Sequence, residues 1–175
     1  AKGVITCHRQ NIQAFTTFGE LLGLTASDRY LVINPFFHSF GYKAGMLAIL
    51  AQGATLVPMA SFDVDAVLAT IEREAITVMP GPPTIFQSLI NHPQLHQFDI
   101  SSLQKATTGA AVIPTSLIEQ MQTVLNIDTV ITAYGLSECG GLATMCRRGD
   151  SAETIAKTSG RAIPGVELSI VDSDN

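Results

Sequence analysis

Four short segments of the sequence combine small residues with side chains that could contact a ligand: residues 34–41 (NPFFHSFG), 81–84 (GPPT), 107–111 (TTGAA) and 134–141 (YGLSECGG). Each follows an apolar, strand-like run. In an open parallel sheet the ligand binds beyond the carboxyl ends of the strands, so a site is expected in these segments. They supply an aromatic ring, hydroxyl groups, a carboxylate and a histidine. This set of residues is typical of a ligand site.

The segment Tyr134-Gly-Leu-Ser137-Glu138 concentrates three kinds of side chain. Tyr134 could cover a base, and Ser137 could donate a hydrogen bond to a phosphate oxygen. Glu138 could hold Mg²⁺, which prefers one or two carboxylates plus substrate phosphates. A capped turn, in which Ser137 and Glu138 begin a helix and Tyr134 only packs, explains the same residues. The residues alone leave both interpretations open.

An α/β-hydrolase nucleophile is the rival enzyme interpretation of this segment, because Gly135-Leu-Ser137-Glu-Cys139 nearly matches G-x-S-x-G. Cys139 stands where that motif needs glycine. The Ser, acid, His order also requires a histidine after Ser137, whereas histidines occur at positions 8, 38, 92 and 96. The hydrolase interpretation therefore survives only if a downstream segment supplies the base. His92 and His96 have metal-ligand spacing, but the proline between them favours a solvated loop.

The composition predicts a protein with a sizeable apolar core. Of 175 residues, 46% are hydrophobic and 14% are charged, which excludes a disordered chain. The net charge is −5 and no basic cluster exceeds Arg147-Arg148, so nucleic acid is not an expected partner. The longest apolar run, residues 44–51, is far shorter than the ~20 residues of a membrane span. Three cysteines without paired spacing favour a cytoplasmic location.

Helical and strand-like patterns alternate along the chain, as a parallel sheet with crossover helices requires. The expected fold class is therefore α/β, with a mostly parallel sheet flanked by helices. Expected strands are residues 30–33, 55–58, 76–79, 105–108, 129–133 and 166–171, and Pro80-Gly81 should end the third. Expected helices cover residues 12–22, 41–52, 64–71, 83–90 and 116–125, with Asp63 capping the third and a Ser116/Glu119 capping box at the last.

Several motifs, in order along the whole chain, resemble those of the adenylate-forming enzymes, the superfamily of acyl-CoA synthetases, luciferases and nonribosomal adenylation domains. They are Lys2-Gly-Val (end of SGTTGxPKGV), Pro35-x-x-His38-x-x-Gly41, Thr108-Gly109-Ala110-Ala111, Tyr134 to Glu138 (Y-G-x-T-E) and Gly160-Arg161-x-x-Pro164-Gly165. Ala1 departs from the usual proline, and Ser137 replaces the usual threonine. Neither change breaks the pattern.

The resemblance implies a role for each matching residue. On the nucleotide side, Tyr134 would stack on adenine, Ser137 would hold a phosphate and Glu138 would ligate Mg²⁺. The other nucleotide contacts would be Lys2 with the ATP phosphates and Thr108, Gly109, Ala110, Ala111 and Gly135 around the adenine. On the acyl side, His38 would gate access of the thiol to the acyl carbon, with Gly41 and Gly81 contacting the substrate.

The implied chemistry joins a small-molecule carboxylic acid to ATP, giving acyl-AMP and pyrophosphate, and then to coenzyme A. By the same resemblance, we expect residues 1–175 to be an internal fragment of the large N-terminal AMP-binding core domain. The upstream part of the phosphate loop and the C-terminal domain would lie outside it. We therefore expect the fragment alone to be inactive. The resemblance is compatible with a homo-oligomer.

Two segments, INPFFHSFGYKAG and VMPGPPTIFQSL, most resemble actinobacterial CoA ligases that act on propanoate side chains of degraded steroid rings. Fatty acyl-CoA synthetases are the nearest competitors. A nonribosomal-type amino-acid adenylation domain is the less favoured alternative, because no aspartate occurs between Tyr30 and Gly53 to bind an α-amine. A nucleotide-binding module without turnover remains the alternative of a different class.

Overall fold

The computed structural model describes residues 3–172, in which one mixed sheet forms the centre of the fold. Five strands run parallel: β1 (Arg29–Val32), β2 (Thr55–Pro58), β3 (Val78–Gly81), β4 (Lys105–Thr108) and β5 (Thr129–Tyr134). Two short strands, β6 (Thr144–Met145) and β7 (Arg161–Ala162), continue the sheet in antiparallel pairs. The strand order is β2-β1-β3-β4-β5-β6-β7. This arrangement confirms the predicted, mostly parallel α/β sheet.

Helices connect the parallel strands and cover the sheet. They are α1 (His8–Leu22), α2 (Ala48–Gln52), α3 (Val64–Glu74), α4 (Pro83–Ile90), α5 (Thr115–Thr123) and α6 (Ala152–Lys157). A π-helical segment, Phe40–Leu47, leads directly into α2. All four residues of β3 are buried, so helices cover both faces of the sheet there. Within residues 3–172, no helix is both long and apolar enough to cross a bilayer.

Local signals account for the starts of α3 and α4. The Asp63 carboxylate accepts a hydrogen bond from the Ala66 N–H at 2.9 Å and caps α3, as predicted. Pro83 occupies the first position of α4, where a missing N–H costs nothing. The capping box predicted for α5 is wrong. The helix begins at Thr115 after an extended Pro114, so Ser116 already lies inside its first turn.

Three other predicted elements differ from the structure. The predicted strand at 76–79 is shifted: β3 begins at Val78, includes Pro80 and ends with Gly81, because the φ angle of proline suits an extended strand and Pro80 pairs with Thr107. Residues 166–171, expected to be a strand, pair with no strand of the described residues; Val166 is half-buried and the others are exposed. The alternation of their side chains is a local pattern, whereas a strand needs a partner.

The predicted helix at residues 41–52 is α-helical only in its second half. Its first half is the π-helical segment, in which Gly41 packs against the chain that follows β1. A Cβ atom at Gly41 would lie 2.2 Å from the Pro35 carbonyl oxygen and 2.5 Å from that of Asn34. Only glycine allows this contact between backbones. Such π-helical turns occur frequently at functional sites.

A buried ion pair joins the amino-terminal ends of the strands. Asp28 precedes β1, and its two carboxylate oxygens lie 2.7 and 2.8 Å from Lys105 Nζ at the start of β4. The Thr77 hydroxyl and the Thr25 N–H each donate to Asp28 at 2.7 Å. Desolvation alone would raise the pKa of Asp28, but the hydrogen bonds from Lys105, Thr77 and Thr25 hold it below its usual value. This cluster stabilises the end of the sheet opposite to the candidate site.

Candidate functional site

A cavity of about 180 Å³ lies where the chain leaves the carboxyl ends of β1, β4 and β5. Its walls come from α1, the start of the π-helical segment and the loops after β4 and β5. Six of the predicted site residues line this one cavity: His38, Thr108, Gly109, Ala110, Tyr134 and Gly135. Parallel strands bring these residues together, although almost 100 positions separate the first from the last.

Thr108 supplies an unsatisfied polar atom to the cavity. The residue is only 1% exposed, and its Oγ1 has no hydrogen-bond partner among the described residues. A buried hydroxyl left without a partner costs about 1–3 kcal/mol. Because Thr108 is among the residues that line the cavity, its hydroxyl is a candidate hydrogen-bonding group for a molecule that enters there.

The chain after β4 turns sharply at the cavity wall. Ala110 has a φ of 62°, a left-handed conformation that is uncommon for a residue with a Cβ atom. Backbone strain of this kind often occurs at ligand sites. Gly109 is buried, while Ala111 is exposed and is not among the residues that line the cavity. The loop thus brings backbone and small side chains, rather than bulky groups, to the cavity.

Residues 134–141, which we call the 134–141 turn, fold back on themselves after β5. A Cβ atom at Gly135 would lie 2.2 Å from the Gly141 carbonyl oxygen, so glycine is needed there. The Gly141 N–H donates to the Leu136 carbonyl at 2.8 Å and closes the loop. Tyr134, at the end of β5, is 47% exposed and lines the cavity.

Ser137 and Glu138 lie in one short 3₁₀ turn, Ser137–Cys139, which ends at Gly140. Ser137 and Glu138 thus begin a short helical turn, as the capped-turn interpretation expects, but Tyr134 lines the cavity. The roles of Ser137 and Glu138 toward a ligand stay predictions. Both side chains are exposed, and neither is among the residues that line the cavity. They are displayed next to it, three and four residues after Tyr134. The exposed Glu138 carboxylate is free of an ion-pair partner among residues 3–172.

His38 also lines the cavity, from the chain just before the π-helical segment. Its Nδ1 accepts a hydrogen bond from the Phe40 N–H at 3.1 Å. In the neutral imidazole the proton must then sit on Nε2, which becomes a hydrogen-bond donor. The exposed side chain can present this N–H to a ligand.

Two predicted site residues, Gly41 and Gly81, lie elsewhere in the described structure. Gly41 and Gly81 do not line the cavity: Gly41 packs on the backbone after β1, and Gly81 is buried near Ile85 in α4. Their assignment to the acyl side stays a prediction. Lys2 lies outside the described residues.

Sequence analysis missed the aromatic residues of α1. Phe15 and Phe18 line the cavity together with Phe40, but their helical spacing indicates only a buried face. It also missed Lys43, which is buried at 3% exposure in the π-helical segment. No local pattern distinguishes such a lysine from one that points to solvent.

Residues 3–172 contain no group of three or more His, Cys, Asp or Glu side chains that could hold a metal ion by itself. His92, expected in a solvated loop, is instead mostly buried and lies 3.0 Å from an Asp65 carboxylate oxygen. The single carboxylate of Glu138 fits Mg²⁺, because that ion is usually held by one or two carboxylates together with substrate phosphates.

Two named ligases are similar to this chain over almost its whole length. A 3-[(3aS,4S,7aS)-7a-methyl-1,5-dioxo-octahydro-1H-inden-4-yl]propanoyl:CoA ligase from Rhodococcus jostii (strain RHA1) is 54% identical over 172 residues, covering 98% of this chain and 33% of that protein. The ligase of the same name from Mycobacterium tuberculosis (strain ATCC 25618 / H37Rv) is also 54% identical over 172 residues, covering 98% of this chain and 34% of that protein. The chain thus spans about a third of the length of these relatives.

A solved structure described as a Mycobacterium tuberculosis fatty acyl CoA synthetase superposes with a TM-score of 0.87 at 26% identity. The match covers 99% of this chain and 34% of that one. The family model described as AMP-binding enzyme matches residues 1–175. These matches confirm the resemblance carried by the motifs and the fold expected from it: the chain belongs to the AMP-binding enzyme family.

Proposed function

We propose that this chain is part of the large AMP-binding core domain of an ATP-dependent acid-thiol ligase. The enzyme activates a hydrophobic carboxylic acid as acyl-AMP and transfers the acyl group to coenzyme A. The observation that carries the proposal is the single cavity that unites Tyr134, Thr108 and His38 at the carboxyl ends of three parallel strands. Membership of the family and the CoA-ligase names of the 54% identical relatives support it.

The nucleotide would occupy the β4 and β5 side of the cavity. The Tyr134 ring would stack on adenine, and Gly109 and Ala110 would contact the flat base without bulky side chains. Thr108 Oγ1 would gain the hydrogen-bond partner that it lacks among the described residues. Ser137, exposed in the turn beyond Tyr134, would donate a hydrogen bond to a phosphate oxygen. Lys2 would contact the ATP phosphates.

Glu138 would hold Mg²⁺ against the ATP phosphates. When bound, Mg²⁺ neutralises charge that develops on the phosphates, and such electrostatic stabilisation is usually a large part of phosphate chemistry. The exposed, unpaired carboxylate next to the cavity is compatible with this role. In the first half-reaction, a carboxylate oxygen of the acid attacks the α-phosphorus, and pyrophosphate leaves.

His38 would act in the second half-reaction, in which the coenzyme A sulfur attacks the acyl carbon and AMP leaves. Because Nδ1 is occupied by the Phe40 N–H, neutral His38 offers Nε2–H as a donor. We propose that it orients the acyl carbonyl or the incoming sulfur rather than removing the thiol proton, which is lost to solvent. This assignment gives His38 a gating and orienting role.

The acid that we propose is a propanoate attached to a fused alicyclic ring, the class named for both 54% identical relatives. The aromatic side chains of Phe15, Phe18 and Phe40 supply the apolar lining that such a ring needs. A fatty acid is the competing substrate of similar polarity. A cytoplasmic location remains a prediction, supported by the free Cys7, Cys139 and Cys146.

The test is pyrophosphate release by the full-length gene product with ATP, Mg²⁺ and a panel of acids. The panel contains a ring-fused indane propanoate, fatty acids of several lengths and α-amino acids, each with and without coenzyme A. We expect the ring-fused propanoate to give the highest kcat/KM and an acyl-CoA product. Fast exchange with amino acids alone would favour the adenylation-domain alternative. Nucleotide binding without pyrophosphate release from any acid would favour a module without turnover.

A further inference from the structure

We infer that Lys43 is a positioning residue that fixes the 134–141 turn against the π-helical segment. The inference rests on the proposed function, because it concerns how Ser137 and Glu138 are presented to Mg²⁺ and ATP. Lys43 itself is too deeply buried to contact the nucleotide in this arrangement, and it is not among the residues that line the cavity.

Lys43 reaches the turn through its ammonium group. Nζ donates a hydrogen bond to the Gly140 carbonyl oxygen at 3.0 Å. Its methylene groups lie along the Gly141 backbone, since a Cβ atom at Gly141 would be 3.2 Å from Lys43 Cδ. The turn is therefore held from outside by one long side chain, in addition to its own backbone hydrogen bonds.

The turn needs such a support because of its glycines. Gly140 and Gly141 have φ angles of 85° and 102°, and glycine loses more conformational freedom on ordering than any other residue. The internal bonds from Gly140 N–H to Ser137 and from Gly141 N–H to Leu136 close the loop without fixing it to the rest of the domain. Gln10 and Phe15 of α1 pack against Gly140 and Gly141, and Lys43 adds a side-chain hydrogen bond to this part of the turn.

The burial of Lys43 is energetically unusual. No carboxylate of the described residues forms an ion pair with it, and its other polar neighbour is the Tyr42 ring, 5.6 Å from Nζ to the ring centroid. Burying an ammonium group without an anion is costly. Lys105 is also largely buried, but its ammonium group forms an ion pair with the Asp28 carboxylate. Stabilisation of the fold therefore does not by itself explain why a lysine is buried at position 43.

The position of Lys43 in the chain suggests what the support achieves. Lys43 lies five residues after His38, in the same π-helical segment whose start is fixed by the His38 carbonyl, which accepts from Gly41 and Tyr42 N–H. One side chain thus sets the distance between the wall that carries His38 and the turn that carries Glu138. A misplacement of about 1 Å at such a site can cost roughly 10²-fold in rate.

The experiment compares Lys43→Met with Lys105→Met in the full-length gene product. Both changes replace a buried ammonium by an apolar side chain of similar length, but only the first touches the turn. For Lys43→Met we expect the KM for MgATP and the Mg²⁺ concentration needed for half-maximal adenylation to rise about 10-fold or more, with the KM for the acid nearly unchanged. For Lys105→Met we expect a lower Tm and unchanged KM values. If the KM for MgATP and the Mg²⁺ requirement changed equally in the two variants, the inference would be overturned.

Two further measurements decide the remaining cases. Lys43→Arg keeps a cation and a donor, so its Mg²⁺ requirement should fall between those of the wild type and Lys43→Met. If Lys43→Met does not fold, a folded Lys43→Gln enzyme, whose shorter side chain lacks the cation, takes its place: wild-type KM for MgATP and wild-type hydrogen exchange in the 134–141 turn would then overturn the inference. If the wild type turns over no acid, the proposed function is wrong. Faster exchange of the turn in Lys43→Met, but not in Lys105→Met, would still support the anchor, and equal exchange would refute it.

Discussion

The Phe40 backbone N–H donates a hydrogen bond to Nδ1 of His38, 3.1 Å away. This contact fixes the neutral tautomer of the imidazole and leaves Nε2–H as its free polar group. It also ties the orientation of the ring to the start of the π-helical segment. His38 is therefore oriented by the backbone of the element that follows it.

A His38→Ala enzyme should be damaged mainly in thioester formation. We expect the rate from supplied acyl-AMP and coenzyme A to fall about 10²-fold, as on losing one preorganised donor, and adenylation to fall much less. His96→Ala, an exposed change in the 3₁₀ turn Leu95–Gln97, is the matched control. Single-turnover measurement of both half-reactions checks the prediction. Equal losses in the two halves would contradict the orienting role.

A Glu138→Gln enzyme should lose the first half-reaction. The change keeps size and hydrogen bonding but removes the charge that would hold Mg²⁺, so adenylation should fall by about 10² or more, near 3 kcal/mol. Thioester formation from acyl-AMP should fall much less, because no triphosphate is present. Glu119→Gln, an exposed carboxylate on α5, is the control. Near-normal adenylation, or equal damage with a lower Tm, would assign Glu138 to the fold alone.

A Thr108→Val enzyme should fold at least as well as the wild type but bind ATP less tightly. The hydroxyl is buried without a partner among the described residues, so removing it while keeping the shape should leave the free energy of unfolding equal or higher. If the hydroxyl contacts the nucleotide, the KM for ATP should rise several-fold, in line with about 1 kcal/mol for one hydrogen bond. A raised Tm with an unchanged KM would remove Thr108 from the nucleotide site.

An Asp28→Asn protein should be less stable at neutral pH and should lose part of its pH dependence in acid. The pKa of Asp28 is lowered in the folded protein by Lys105, Thr77 and Thr25, although desolvation opposes this. Its stabilisation is therefore complete above the unfolded pKa of ~3.9 and is lost as the pH falls through the lower folded pKa.

Breaking one side of a buried pair costs about 3–5 kcal/mol, and we expect a loss of that order in urea unfolding at pH 7. Below the folded pKa of Asp28, wild type and variant should converge. A constant difference between them down to the lowest pH would contradict the assigned linkage. KM values should stay unchanged, because the pair lies at the end of the sheet opposite to the cavity.

Much of the fold could be predicted because it depends on local signals. The strand at Thr55–Pro58 and the strand at Lys105–Thr108 have the predicted bounds, and the Asp63 cap and Pro83 start their helices as expected. Alternating helical and strand-like periods report which faces must be buried. A chain with that alternation can bury these faces in few folds other than a mostly parallel sheet with helices packed on both sides.

Much of the candidate site could also be predicted, from the positions of its residues relative to the strands. Residues placed just after parallel strands must lie at one edge of the sheet, and the motifs at His38, Thr108 and Tyr134 do line one cavity. Their order along the chain was enough to indicate the family. The roles that the family implies for these residues stay predictions until the half-reactions are measured.

Only the tertiary structure decided the features that depend on distant partners. Residues 40–47 are π-helical where Gly41 packs on the backbone at Pro35, and residues 166–171 form no strand without a neighbour among the described residues. The burial of Lys43 depends on the Gly140 carbonyl, 97 positions away. Periodicity along a chain records which side chains avoid water, whereas the identity of each partner is set by packing between segments far apart in sequence.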